Sequence, residues 1–275
     1  MNKPTIIAII MILLNFSCLS SQESEQIVEE PIILQQETPY TQLEVKSIDK
    51  VILEQGTTQK IEITKGQEYQ HLLEISVVNG KLIINKKQTK DKKLKNKQIY
   101  LKITFTNLSQ LNLLNMGSVA CSNSLNSSNL LIETRNTASV KLYVICDKLK
   151  LTTVNSADVT LDVQSKTSEI NVENDANVQL NITCDNLKLN SVNSADVTIS
   201  GQSKKGEIDI KNAADLDFST FNIDELYLVA KNGANGKINT SGKLSLILEN
   251  YASFTVKGSP IIIKKEIKNV ANFKM

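Results

Sequence analysis

The sequence predicts an all-β fold, a right-handed single-stranded parallel β-helix with about 19 residues per rung, and three observations carry it. An Asn-x-Ala-x-apolar pattern recurs, with small departures, at Asn136, Asn155, Asn174, Asn193, Asn212, Asn232, Asn250 and Asn269, at intervals of 19, 19, 19, 19, 20, 18 and 19 residues. Apolar residues alternate with polar ones on both sides of each Asn, as in Val159 and Leu161 after Asn155 or Leu149 and Leu151 before it. That is the period of a half-buried strand, and no window sustains a helical one. A unit this short cannot bury its own apolar face, so copies must stack, about 4.8 Å apart. The handedness follows from the general preference of parallel crossovers.

The chain begins with a different kind of segment. Lys3 precedes a mostly apolar run from Ile6 to Leu14, the layout of a secretory signal, predicted over residues 1–17 and too short for the roughly 20 residues a bilayer requires. Ser17 and Cys18 then resemble a bacterial lipoprotein box, which predicts export and a lipid anchor at Cys18, on the outer membrane or cell surface. Cleavage a few residues later is the alternative. Residues 18–42 carry Glu23, Glu25, Glu29, Glu30 and Glu37 with Pro31 and Pro39, and are predicted to form a flexible acidic tether.

Residues 43–275 form the predicted domain. Its strand-rich opening segment, 43–107, holds Val51–Leu53, Lys60–Ile63 and a hairpin of Leu73–Val77 with Leu82–Asn85 across Asn79-Gly80. Regular rungs occupy 108–275, with Asn115-Met116-Gly117 as a first copy that has Gly for Ala. Each rung is read as two short strands, an Asn turn between them, and a polar turn such as Gln164-Ser165-Lys166-Thr167. Asn suits the turn because it tolerates the left-handed conformation and because stacked amides can bond along the column. Ala two residues later implies a corner with room for a methyl only. A leucine-rich repeat also stacks Asn, but its unit is longer and places a helix or equivalent after the Asn.

Composition narrows the function. Aromatics make up 4% of the chain, with no Trp, and its 31 basic residues are all Lys except Arg135, which disfavours nucleic-acid recognition. The lone His71 leaves little for His-based metal sites or a Ser-His-Asp triad. Cys146 and Cys184 occupy the same place two rungs apart, with Ser165 between, nearly 10 Å by rung spacing and beyond disulfide reach. Cys121 falls at an inward position, so three free thiols are expected. The run from Lys86 to Lys97 holds seven Lys and one Asp, and reads as a solvated loop with some capacity for anionic polysaccharide or lipid headgroups.

One column, three residues after each Asn, carries Asp158, Asn177, Asp196, Asp215 and Asn235. Asp196 and Asp215 lie on adjacent rungs, about 5 Å apart, a spacing compatible with Ca²⁺ or a carboxylate pair. Asp is also an ordinary turn residue and Asn replaces it elsewhere in the column, so the expectation is no metal, no cofactor and no enzyme.

The turns Asn155-Ser156-Ala157-Asp158, Asn193-Ser194-Ala195-Asp196 and Asn212-Ala213-Ala214-Asp215, with the closing Lys257-Gly258-Ser259-Pro260 before Ile261–Lys265, carry a resemblance. The chain resembles the auto-transporter adhesin head GIN domain family, whose turns read Gly-Ser-Gly-Asp; Asn and Ala replace both glycines here. The resemblance covers roughly residues 43–275 and implies a β-helix at the cell surface, with no established activity. The function expected is therefore an adhesin-like surface binding module for a glycan or a host or cell-surface protein, held to the membrane through its lipid. A glycan-active β-helix enzyme and a passive spacer are the alternatives.

Overall fold

The computed structural model describes residues 31–35, 38–136, 139–155 and 157–275; the signal segment and Cys18 lie outside the described residues. Strands in chain order are β1 (Ile32–Gln35), β2 (Gln42–Lys46), β3 (Lys50–Gln55), β4 (Lys60–Lys65), β5 (Leu73–Val78), β6 (Lys81–Lys86), β7 (Tyr100–Phe105), β8 (Gln110–Leu114), β9 (Ser118–Cys121) and β10 (Leu125–Arg135). They continue as β11 (Ser139–Val154), β12 (Asp158–Gln164), β13 (Thr167–Glu173), β14 (Asn177–Val192), β15 (Asp196–Lys211), β16 (Asp215–Lys231), β17 (Asn235–Asn239), β18 (Lys243–Glu249), β19 (Ser253–Lys257), β20 (Ile261–Lys268) and β21 (Asn272–Lys274). A 3-10 turn (Gln67–Leu72) and a single-turn helix, α1 (Lys92–Lys95), are the helical pieces among the described residues.

From β8 onward every pairing is parallel and joins residues one coil apart, as in the column Val140, Val159, Val178, Val197, Leu216. This is the stacked β-solenoid that the repeat predicts. Inside each coil Val159, Leu161 and Val163 line one wall and Ile170 and Val172 the other, all buried, with their counterparts above and below. The walls meet where two consecutive residues face out, as at Asp147-Lys148. The expected polar turn exists between β12 and β13, but β11, β14, β15 and β16 run through that corner unbroken, because the parallel ladder to the next coil continues around it.

The Asn corner is a true turn. Asn115, Asn136, Asn155, Asn174, Asn193, Asn212, Asn232, Asn250 and Asn269 all have φ between 51° and 64°. The following residue is also left-handed wherever it is described from Asp175 on, including Ser194, Ala213, Tyr251 and Val270. Two left-handed residues reverse the chain tightly enough that only a small side chain fits behind them. Ala157, Ala176, Ala195, Ala214, Ala234 and Ala252 fill that place at 0–1% exposure. In the first copy Gly117 is required, since a Cβ there would lie 2.0 Å from the Asp49 carbonyl oxygen.

The two irregular intervals have local causes. The 20-residue coil carries one extra residue between the pairs Thr198–Asp217 and Ser200–Thr220, at a bulge near Ser219. The 18-residue coil recovers the register by shortening around Asn239, which pairs with Asn222 directly after the Phe218–Ile238 pair.

The opening segment departs from chain order. β2 and β3 stack on β8 and β9, and β6 and β7 stack on the opposite side of β2 and β3, so the later pair forms the outer coil. Ser47, φ 58°, takes the Asn corner of the β2–β3 coil. β5 then pairs antiparallel with β6, β4 with β7 and β1 with β4, so antiparallel strands close this end of the stack. Strand pairing thus begins at Ile32, upstream of the boundary expected at residue 43. Ile32 and Leu34 pack against the core, and Tyr40 is buried with its hydroxyl donating to the Thr104 carbonyl at 3.3 Å. The short apolar Ile32-Ile33-Leu34 finds a sheet edge that the surrounding Glu and Gln conceal in composition.

The opposite end is bare among the described residues. β20 and β21 pair only inward, with β18 and β19, and Ile261, Ile262, Ile263, Ile267 and Val270 are exposed. Lys265 continues the inward column of Ile170, Leu189, Ile208, Leu228 and Leu246, its ammonium 4.5 Å from the Phe273 ring centre.

Candidate functional site

The outer walls of a solenoid display straight columns of side chains, so a functional surface shows as a break in a column. The Asn column has none. At seven steps of the column Nδ2 of a corner Asn donates to Oδ1 of the preceding one, at 3.0 Å for Asn136 to Asn115, 3.1 Å for Asn174 to Asn155, 3.0 Å for Asn193 to Asn174 and 2.9 Å for Asn212 to Asn193. The ladder continues at 3.1 Å for Asn232 to Asn212 and 2.8 Å for both Asn250 to Asn232 and Asn269 to Asn250. From Asn174 to Asn250 both donor and acceptor of each amide are taken up by neighbouring amides, which gives this column a structural role.

The carboxylate column is assembled as the spacing implies. Asp158, Asn177, Asp196, Asp215 and Asn235 are consecutive register partners, all exposed. Asp196 and Asp215 line a shallow groove of about 570 Å³ with Asp217, Asn235, Lys237 and Ser253. The Asp217 carboxyl is held below its usual range by its hydrogen bonds from Ser219, side chain first and then the amide at 2.9 Å, with help from Lys237 and Lys257. Among the described residues no group of three or more His, Cys, Asp or Glu side chains is placed to hold a metal ion.

A second groove of about 570 Å³ crosses the opposite wall, over β14, β15, β16 and β18. Its floor follows Leu187, Gly206 and Leu226, and its rims carry Asn186, Lys188, Glu207, Tyr227 and Ser245. The outward column here reads Lys150, Glu169, Lys188, Glu207, and its charges pair: Lys150 with Glu169 at 3.0 Å and Lys188 with Glu207 at 4.0 Å. The next position breaks the alternation with Tyr227, 41% exposed. On the neighbouring column Glu225 accepts from Lys243 at 2.9 Å and lies 3.8 Å from Lys205; the Lys243 hydrogen bond holds its carboxyl low. Tyr227 is not singled out by the sequence reading, although counting back from each corner Asn, through the 20-residue coil, makes the broken Lys/Glu alternation readable.

The thiols are placed for packing. Cys146, Cys184 and the half-buried Cys121 are free. Burial pushes the Cys146 thiol up to about 11, with Asp147 adding to the shift, and burial raises Cys184 also. Cys184 Sγ lies 3.5 Å from the Ser203 hydroxyl in the coil above, and the Tyr143 amide donates to Cys121 Sγ at 3.1 Å.

Comparison with known proteins agrees with this architecture. The chain is similar to a solved "putative adhesin" from Parabacteroides merdae, with a TM-score of 0.64 at 14% identity over 90% of this chain and 95% of that one. It is similar also to a "putative adhesin" from Parabacteroides distasonis, TM-score 0.63 at 16% identity over 89% and 96%. A "putative lipid binding protein" from the same species gives a TM-score of 0.60 at 15% identity over 90% and 97%. At these identities the likeness shows the fold. No relative is found among curated proteins. One family's sequence profile matches residues 39–164 and again 158–260, most of the chain, and the chain belongs to that family, described as "Putative auto-transporter adhesin, head GIN domain".

Proposed function

We propose that the protein is an exported rod, anchored through Cys18, that binds a cell-surface or host ligand along the wall centred on Tyr227. The family supports an adhesin-like surface module. The observation that carries the binding face is the exposed Tyr227 ring, standing where charge pairing stops in its own column, between Glu207 and Ser245, in a groove that Asn186 also lines. An aromatic face with amide and hydroxyl groups in the same groove suits a saccharide chain, which offers apolar ring faces and hydroxyls. A glycan-cleaving reaction needs a carboxyl poised to deliver a proton, and Glu225, held as the anion by Lys243, is tuned the other way.

The test is a binding screen of the soluble chain on a glycan array and on immobilised host-matrix proteins, run with Tyr227→Ala and with Asp196→Asn/Asp215→Asn. Binding lost in Tyr227→Ala and kept in the double variant is expected. Binding that depends on the Asp pair, or that survives Tyr227→Ala, overturns the assignment of this wall.

A further inference from the structure

We infer that the Lys86–Lys97 loop is a second contact surface, which seats the anchored end of the rod on anionic phospholipid headgroups. The inference rests on the proposed anchor for its geometry. β1 meets β4 at Ile32–Ile63, and β4 meets β7 at Ile63–Leu101, so the chain enters the domain two strand spacings, about 10 Å, from the residues where the loop ends. The segment between Cys18 and Pro31 reaches at most about 45 Å when fully extended. The loop therefore stands at the corner nearest the proposed anchor, within reach of the bilayer.

Its unpaired lysines are more concentrated than those of the coils. On the coils, lysines are repeatedly matched: Lys150 with Glu169, Lys166 with Asp147, Lys204 with Asp185, Lys231 with Glu249. Within the loop Lys86 meets Asp49 at 3.1 Å, Lys87 lies 3.8 Å from Glu74, and Lys97 stands over the Tyr69 ring. Lys90, Lys92, Lys93 and Lys95 are exposed, and no carboxylate pairs with any of them among the described residues. The one acidic residue of the loop, Asp91, spends Oδ1 on the Lys93 amide at 2.8 Å. Leu94 packs against the core, so α1 is pinned on one side and its lysines stand on a formed surface.

Four such ammonium groups against an anionic leaflet, at roughly fivefold in partition each, amount to a preference of several hundredfold that salt screens. The rival occupant is the acidic segment itself, with Glu23, Glu25, Glu29 and Glu30.

Flotation of the full chain carrying Cys18→Ala, on phosphatidylcholine vesicles with and without phosphatidylglycerol, separates these. We expect binding at least about 100-fold stronger with phosphatidylglycerol. It should be lost in Lys90→Ser/Lys92→Ser/Lys93→Ser/Lys95→Ser, whose thermal unfolding stays unchanged, and kept in Lys148→Ser/Lys237→Ser/Lys257→Ser/Lys274→Ser, which removes the same charge elsewhere. Three results overturn the inference: no lipid preference, equal loss in both quadruple variants, or a preference that emerges only after the four Glu become Gln. Because Cys18 is absent throughout, failure here leaves the anchor untouched, and a missing anchor in cells leaves this result standing.

Discussion

Asn193 sits mid-ladder, so replacing it separates the two tasks of the corner residue. Its backbone is left-handed, φ 64°, and its amide both donates to Asn174 at 3.0 Å and accepts from Asn212 at 2.9 Å. Two exposed hydrogen bonds contribute about 0.5 kcal/mol each, near the low end for such bonds. A left-handed Ala adds a backbone cost of about 1 kcal/mol. Asn193→Ala should then lose about 2 kcal/mol, and Asn193→Gly, which keeps the turn and loses only the amides, about 1 kcal/mol. For a chain of this size these correspond to falls in Tm of about 4–8 °C and 2–4 °C. Thermal unfolding by circular dichroism measures both. Gly as harmful as Ala would refute the backbone part, and an unchanged Ala variant would refute the ladder.

Three further outcomes are expected. Lys265→Leu restores the apolar column at the bare end, beside Ile262, Ile267 and Phe273, and should favour end-to-end association at least tenfold, about 1.4 kcal/mol; an unchanged mass distribution by light scattering would mean that the Lys265 ammonium does not keep copies apart. Ser191 Oγ is buried between Val172 and Ile210 without a partner among the described residues, so Ser191→Val should gain about 1 kcal/mol and raise Tm, and a lowered Tm would mean that the hydroxyl is needed. The carboxyls of Glu44, Glu169, Glu249 and Glu266 are all depressed, chiefly by hydrogen bonds from Lys46, Lys150, Lys231 and Lys264, Glu266 to about 2. Depressed carboxyls stabilise above their unfolded value, here 4.5, so Tm should hold above about pH 5 and fall between 4.5 and about 2, less steeply in salt. A Tm that rises on acidification would contradict the pairing.

The regular coils were legible because a 19-residue spacing of Asn-x-Ala reports two steric facts at once, a left-handed residue and a methyl-sized gap. What stayed hidden lacked such a signature. The second left-handed position is occupied by Asp175, Ser194, Ala213, Tyr251 and Val270, which share no chemistry, so the coil geometry imposes the conformation against residue preference. Ser47 turns without Asn or Ala. The placement of β6 and β7 outside β2 and β3 could not be read, because alternating apolar strands accept either neighbour and local pattern carries no partner choice. The Asp196–Asp215 adjacency was readable from register alone, whereas Tyr227 required comparing columns across coils.

Display from a membrane anchor is the central claim of the proposed function and the source of the geometry assigned to the lysine loop. Cells expressing the full chain can be fed an alkyne-tagged fatty acid and then treated, intact, with protease. The account predicts label on the wild-type chain, none on Cys18→Ala, and loss of the domain to the protease. Label on the variant, an unlabelled wild-type chain, or a domain that the protease cannot reach would contradict it.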